Sequence, residues 1–167
     1  MGYGYAFGNS DVMPYVKQFF IGGSNSMRAF RNGTLGPGTY TDSIIRSQAI
    51  QAGEIKLEYN SEIRLKLMKY IYPAVFVDAG NIWFRNDHPD APGSKFTKNW
   101  YKELAFDAGA GLRIDAAIFV FRLDIAFPMR IPSNAEGTQW VLDDINLGSK
   151  QWRKDNLVFN IAFGYPF

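Results

Sequence analysis

A chain of 167 residues with no cysteine holds neither a disulfide nor a thiolate metal site, and a formal net charge of +2, with bases and acids interleaved, lacks the electrostatic footprint of a nucleic-acid binder. No run approaches the ~20 apolar residues that a membrane-spanning helix needs, although aromatic residues make up 16% of the chain and glycines number 16. A slightly negative mean hydropathy still leaves a transmembrane barrel open, because half of each barrel strand faces a polar interior.

Residues 3–20 read as a first, irregular strand, followed by a long connection over 21–53 rich in Gly, Asn and Pro. A second strand is expected over 54–68. Within it Glu62, Arg64 and Lys66 share one face, and Ile63, Leu65 and Leu67 share the other. A third follows over 71–84. After a long connection at 85–102, the strand at 103–115 sets Asp107, Gly109, Gly111, Arg113 and Asp115 against Phe106, Ala108, Ala110, Leu112 and Ile114. The strand at 118–130 sets Arg122, Asp124 and Ala126 against Phe121, Leu123, Ile125 and Phe127. A third long connection, 131–154, leads to a last strand at 154–167. There Phe159, Ile161, Phe163, Tyr165 and Phe167 line one face, opposite Asn160, Ala162, Gly164 and Pro166.

Alternation of this kind suits a barrel with lipid outside and a polar lumen, and equally a soluble sandwich with a core inside. Connection length favours the barrel. The gaps at 69–72 and 116–118 are short and alternate with the three long ones, as periplasmic turns alternate with outer loops in outer-membrane barrels. The fold class expected is therefore all-β: an antiparallel transmembrane β-barrel, here a partial barrel of about five to six strands, with residues 1–167 forming one unit. The smallest single-chain bacterial barrels have about eight strands. Residues 1–6 also show no basic segment leading into an apolar one, so no export signal is expected there. The chain reads as the C-terminal part of a longer barrel, because an open sheet edge cannot face hydrocarbon.

Catalytic chemistry finds little support. His88, the single histidine, sits in the turn-like Asn86-Asp-His-Pro-Asp90 with neither a serine elbow nor a second ligand at helical spacing. The Gly22-Gly23 pair precedes no helix, and Asp143-Asp144 reads as a solvated loop pair. No catalytic residue, metal or cofactor is expected, and the protein is read as a non-enzyme.

The most specific stretch is Gln18-Phe-Phe-Ile-Gly-Gly-Ser-Asn-Ser-Met-Arg-Ala-Phe30, with Gly22 and Gly23 followed by Arg28-Ala29-Phe30. It resembles the long inward loop of the BamA/TamA family of outer-membrane assembly proteins, in which a glycine pair precedes Arg-Gly-Phe or Arg-Gly-Tyr. Ala29 departs from the usual glycine. Asn60-Ser-Glu-Ile-Arg64, Val75-Phe-Val-Asp-Ala-Gly80, Gly109-Ala-Gly-Leu-Arg113, Arg122-Leu-Asp-Ile-Ala-Phe-Pro128 and the aromatic terminus extend the resemblance in family order. On impression the loop and the 119–128 stretch look closest to TamA-type proteins of the Bacteroidetes kind.

The resemblance implies that the loop folds into the lumen and that Arg28 latches onto Asp78 and Glu62. It also implies that the last strand, through Phe159, Ile161, Phe163, Gly164, Tyr165 and Phe167, forms half of a weak seam that opens sideways to template client strands. The implied setting is the bacterial outer membrane. The implied partners are its lipid, client β-barrel proteins, the rest of the chain's own barrel with its periplasmic domains, and accessory lipoproteins or periplasmic proteins; nucleic acid is not among them. A polypeptide-secretion transporter of the same superfamily is the first alternative, and a passive porin-like channel the second.

Overall fold

Alternating side chains and short turns build a single antiparallel sheet whose strands follow one another in chain order. The computed structural model describes residues 1–6, 13–40, 51–116, 118–132, 140–142, 145–146 and 148–164. The strands are β1 (Gly2–Tyr3), β2 (Ile55–Arg64), β3 (Ile71–Trp83), β4 (Ala105–Asp115), β5 (Val120–Arg130) and β6 (Val158–Gly164). Together they form a half-barrel, and the all-β, antiparallel expectation holds. The short connections, 65–70 and 116–119, lie at one end, and the long ones at the other.

Among the described residues, three strands depart from the sequence reading by more than two residues. Of the first strand, expected over 3–20, the described residues form Gly2–Tyr3, paired with Ile55 and Lys56. Farther along, Pro14 initiates a turn of 3-10 helix at Tyr15–Lys17, and the backbone of Phe19 forms an isolated bridge with Gly53. The second strand ends at Arg64 rather than 68. Leu65 N–H donates to Pro73 O at 2.9 Å, but a proline nitrogen has no hydrogen to return, so regular pairing stops there. The last strand starts at Val158, because Lys150–Asn156 forms a helix, α1. Ser149 caps it by accepting from Trp152 N at 3.3 Å, and Gln151 bonds Asp155 one turn on at 2.8 Å. Charged and amide side chains spaced four apart favour a helix locally, and the alternating pattern begins only after them.

The two faces of the sheet differ in kind. Outward stand Ile63 (63% exposed), Leu65, Leu67, Val75, Ile125, Phe159, Ile161 and Phe163 (74% exposed). An apolar band of this breadth marks a surface made for contact rather than for water. Inward stand Phe76, Asp78, Asp107, Arg113, Asp124 and Ala126, all buried. What buries them is the long connection after β1. Its Ile21, Met27, Phe30 and Leu35 pack on Phe76, Ile82, Ala105 and Ala126. Covering each large apolar side chain is worth at most ~1.5–3 kcal/mol, which offsets the entropy lost when a long loop is ordered.

Candidate functional site

The loop reaches the lumen because its backbone folds tightly on itself. Gly22 and Gly23 have φ of +107° and +90°, which side-chain-bearing residues rarely adopt, and a Cβ on Gly22 would lie 2.4 Å from Arg31 O. The turn they make lets Gly23 N–H donate to Phe30 O at 2.7 Å and Gly33 N–H to Ile21 O at 2.9 Å. Residues 21–33 thus form a closed, self-bonded unit with Arg28 on the side facing β3.

Arg28 is 5% exposed, and its guanidinium forks onto Asp78, with Nε donating to Oδ2 and Nη2 to Oδ1, both at 2.8 Å. Nη1 donates to Glu62 Oε2 at 2.6 Å. Bidentate, charge-assisted bonds of this kind are the strong class of hydrogen bond. The guanidinium carbon lies 3.4 Å from the centre of the Phe76 ring, a cation over a π face. Phe76 in turn needs Gly109 on the neighbouring strand, where a Cβ would meet its ring at 2.4 Å. Burial alone lowers the pKa of Arg28, but hydrogen bonds to Asp78 and then Glu62 outweigh it and leave the value above the ordinary one.

The backbone of the loop is held as well. Arg28 N–H donates to Asp78 Oδ2 and Ala29 N–H to Asp107 Oδ2, each at 3.3 Å. Asp78 and Asp107 are cross-strand partners, so two successive amides of the loop sit on two adjacent carboxyl groups. Three side chains donate to loop carbonyls from separate strands: Asn60 to Ser26 O at 2.8 Å, Arg122 to Ser24 O at 2.7 Å and Asn160 to Arg28 O at 2.7 Å.

Glu62 is the node of the network. Besides Arg28 it accepts from Arg64 Nε at 2.6 Å and from Arg113 Nη2 at 2.6 Å. Arg113 continues to Asp124 across β4 and β5. The structure thus brings Arg28, Glu62 and Asp78 together, with Gly22 and Gly23 shaping the loop. Phe30 does not touch the acids; it packs in the apolar cluster beside them. Phe159, Ile161 and Phe163 point away from the lumen on β6, and Gly164 ends that strand. Tyr165 and Phe167 lie outside the described residues, as do Pro166 and Asp143-Asp144. Sequence reasoning missed Asp107, Asp124 and Asn160 as partners. Their inward direction was readable from the alternation, but which of them meet depends on strand register.

Comparison with known proteins agrees with this fold. The family model described as the Omp85 superfamily domain matches residues 1–166. The chain is 20% identical over 143 residues to the outer membrane protein assembly factor BamA of Neisseria meningitidis serogroup B (strain ATCC BAA-335 / MC58), a match that takes in 74% of this chain and 18% of that protein. A crystal structure of BamA from Haemophilus ducreyi lacking POTRA domains 1–3 superposes with a TM-score of 0.54 at 19% identity, covering 90% of this chain and 27% of that one. The chain therefore spans a small part of the length of the relatives it matches and shares their barrel fold. With the family model covering all but the last residue, this chain belongs to the Omp85 superfamily.

Proposed function

We propose that this chain is the C-terminal portion of an outer-membrane barrel that assembles and inserts other β-barrel proteins, working mechanically rather than by bond-making chemistry. The observation that carries the reading is the long loop clamped inside the lumen by Arg28, Asp78 and Glu62 in a sheet whose outer face is an exposed apolar band. Arg28 acts as a latch that keeps the loop within the barrel while the β6 edge opens. A client strand then adds to that edge, with main-chain hydrogen bonds giving affinity and alternate side chains giving selectivity. The exposed apolar band faces lipid. The missing strands and periplasmic domains come from the rest of the parent protein, and accessory lipoproteins or periplasmic proteins assist it. Similarity to a BamA protein whose name is that of an assembly factor supports the same role.

The test is reconstitution of the full-length parent in liposomes with an unfolded client barrel protein. Faster appearance of heat-modifiable, membrane-integrated client is the expected result. Passage of a polypeptide into the liposome interior would make the protein a secretion transporter instead. Large, steady conductance with no effect on client folding would make it a channel.

A further inference from the structure

Below the loop, toward the short-turn end of the half-barrel, lies a cavity of about 710 Å³. Arg64, Lys66, Arg113 and Arg122 line it against one carboxylate, Asp115, and it runs out to Ala162 and Gly164 on the inner face of β6. Two of the cations have close carboxylate partners: Arg113 bonds both Glu62 and Asp124, and Arg64 bonds Glu62. Arg122 is less well matched. Its Nη2 donates to Ser24 O at 2.7 Å and lies 3.6 Å from Asp124 Oδ2, while its shielded Nε has no hydrogen-bond partner among the described residues.

Register determines what Arg122 can reach. Arg113, Arg122 and Ala162 form one row across β4, β5 and β6, all inward-facing. The next position in that row belongs to whatever strand pairs with the β6 edge. Its Cα would stand two strand spacings from that of Arg122, about 9.6 Å. Ala162 is the residue between them in that row, and at Gly164 an added Cβ would meet nothing within 4 Å. A guanidinium and a carboxylate on their flexible stems can span that distance together. An apolar or cationic side chain placed there would leave the surplus charge unanswered.

We propose that the strand captured at the β6 edge is selected by an acidic side chain at its inward position opposite Ala162, read by Arg122 with Lys66 and Arg64 reinforcing the field. This rests on the strand-addition reading above and names the chemistry of its client: an extended segment with one carboxylate on the lumen side near the short-turn end.

The experiment uses the full-length parent in nanodiscs and a fluorescein-labelled nine-residue peptide of alternating valine and threonine with one central glutamate, compared with its glutamine counterpart. The glutamate peptide should bind roughly tenfold tighter, the scale of one charge-assisted hydrogen bond. Arg122→Gln should bring the two peptides level. Ala162→Leu, which fills the space between Arg122 and the edge, should do the same. Equal binding of both peptides by the unaltered protein overturns the carboxylate preference and leaves strand addition standing. A preference that survives both substitutions overturns Arg122 as the reader. Binding of neither peptide removes the strand-addition reading together with this inference, and assigns the edge to the chain's own upstream barrel strand.

Discussion

The centre of the lumen and the β6 edge belong to one sheet but are built on opposite plans. At the centre, strands of 10 to 13 residues pair on both sides, and Arg28, Arg113, Asp78, Asp107, Asp124 and Phe76 interlock with almost no exposure. At the edge, β6 has seven residues, pairs only with β5 among the described residues, and ends in a glycine. Low-stability elements are the ones that open, so the proposed opening belongs to the edge and not to the packed centre.

Breaking the centre should have the largest effect. Arg28→Ala leaves Asp78 buried without its fork and Glu62 with one fewer donor. Removing one partner of a buried ion pair costs about 3–5 kcal/mol. Thermal unfolding of the full-length parent in detergent should shift accordingly, and residues 21–40 should become open to protease. A loop that stays protected in the variant would mean that the apolar cluster alone seats it, and would deprive Arg28 of its role as latch.

The next test separates the two faces of the sheet. Ile125→Arg places a charge in the middle of the outward band, where lipid would make it cost about 2–4 kcal/mol. Leu67→Arg, near the short-turn end, should cost no more than about 1 kcal/mol by the same rule. Folded yield in the outer membrane reads both. Equal and small effects would indicate that water, not lipid, covers this face.

A smaller loss is expected from Gly22→Ala. Its methyl group would press on Arg31 O, and φ of +107° is unfavourable for alanine, a strain of about 1–3 kcal/mol. Protease sensitivity of the loop should rise less than in Arg28→Ala. An effect as large as that of Arg28→Ala would place the weight of the latch on loop shape rather than on charge.

Much of this contrast could be read in the residues. The inward direction of Glu62, Asp107, Arg113 and Asp124 followed from period-two alternation, which survives any small error in strand boundaries. The glycine pair and Arg28 stood out through family resemblance, and the structure does bring Arg28 to Asp78 and Glu62. Helix α1 was not legible, because its seven residues sit between a long connection and a strongly patterned strand that invited extension backwards. The helical turn at Tyr15–Lys17 was missed for a related reason: aromatic residues from Tyr3 to Phe20 resemble strand composition, whereas Pro14 and the turn it starts decide the local path. Glu62 as a three-arginine node could not be read at all, since it depends on rows that join β2 to β4 across β3.

The smallest effect should be the most informative about the edge. Gly164 closes β6 opposite Val120, and a side chain added there meets no atom within 4 Å, so Gly164→Val fits without strain. Glycine in a strand is weaker than a side-chain-bearing residue by roughly 0.5–1 kcal/mol, and a β-branched residue suits the pleated surface better still. The variant should therefore fold at least as well as the parent and hold β6 more firmly. If loose pairing at this end is what the protein uses, added stability must lower activity: reconstituted client folding should slow by a few-fold while thermal stability rises slightly. Loss of activity with loss of stability would mean only that the site tolerates no side chain. Gain in stability with client folding unchanged would detach the weak edge from function and leave the latched loop as the working part.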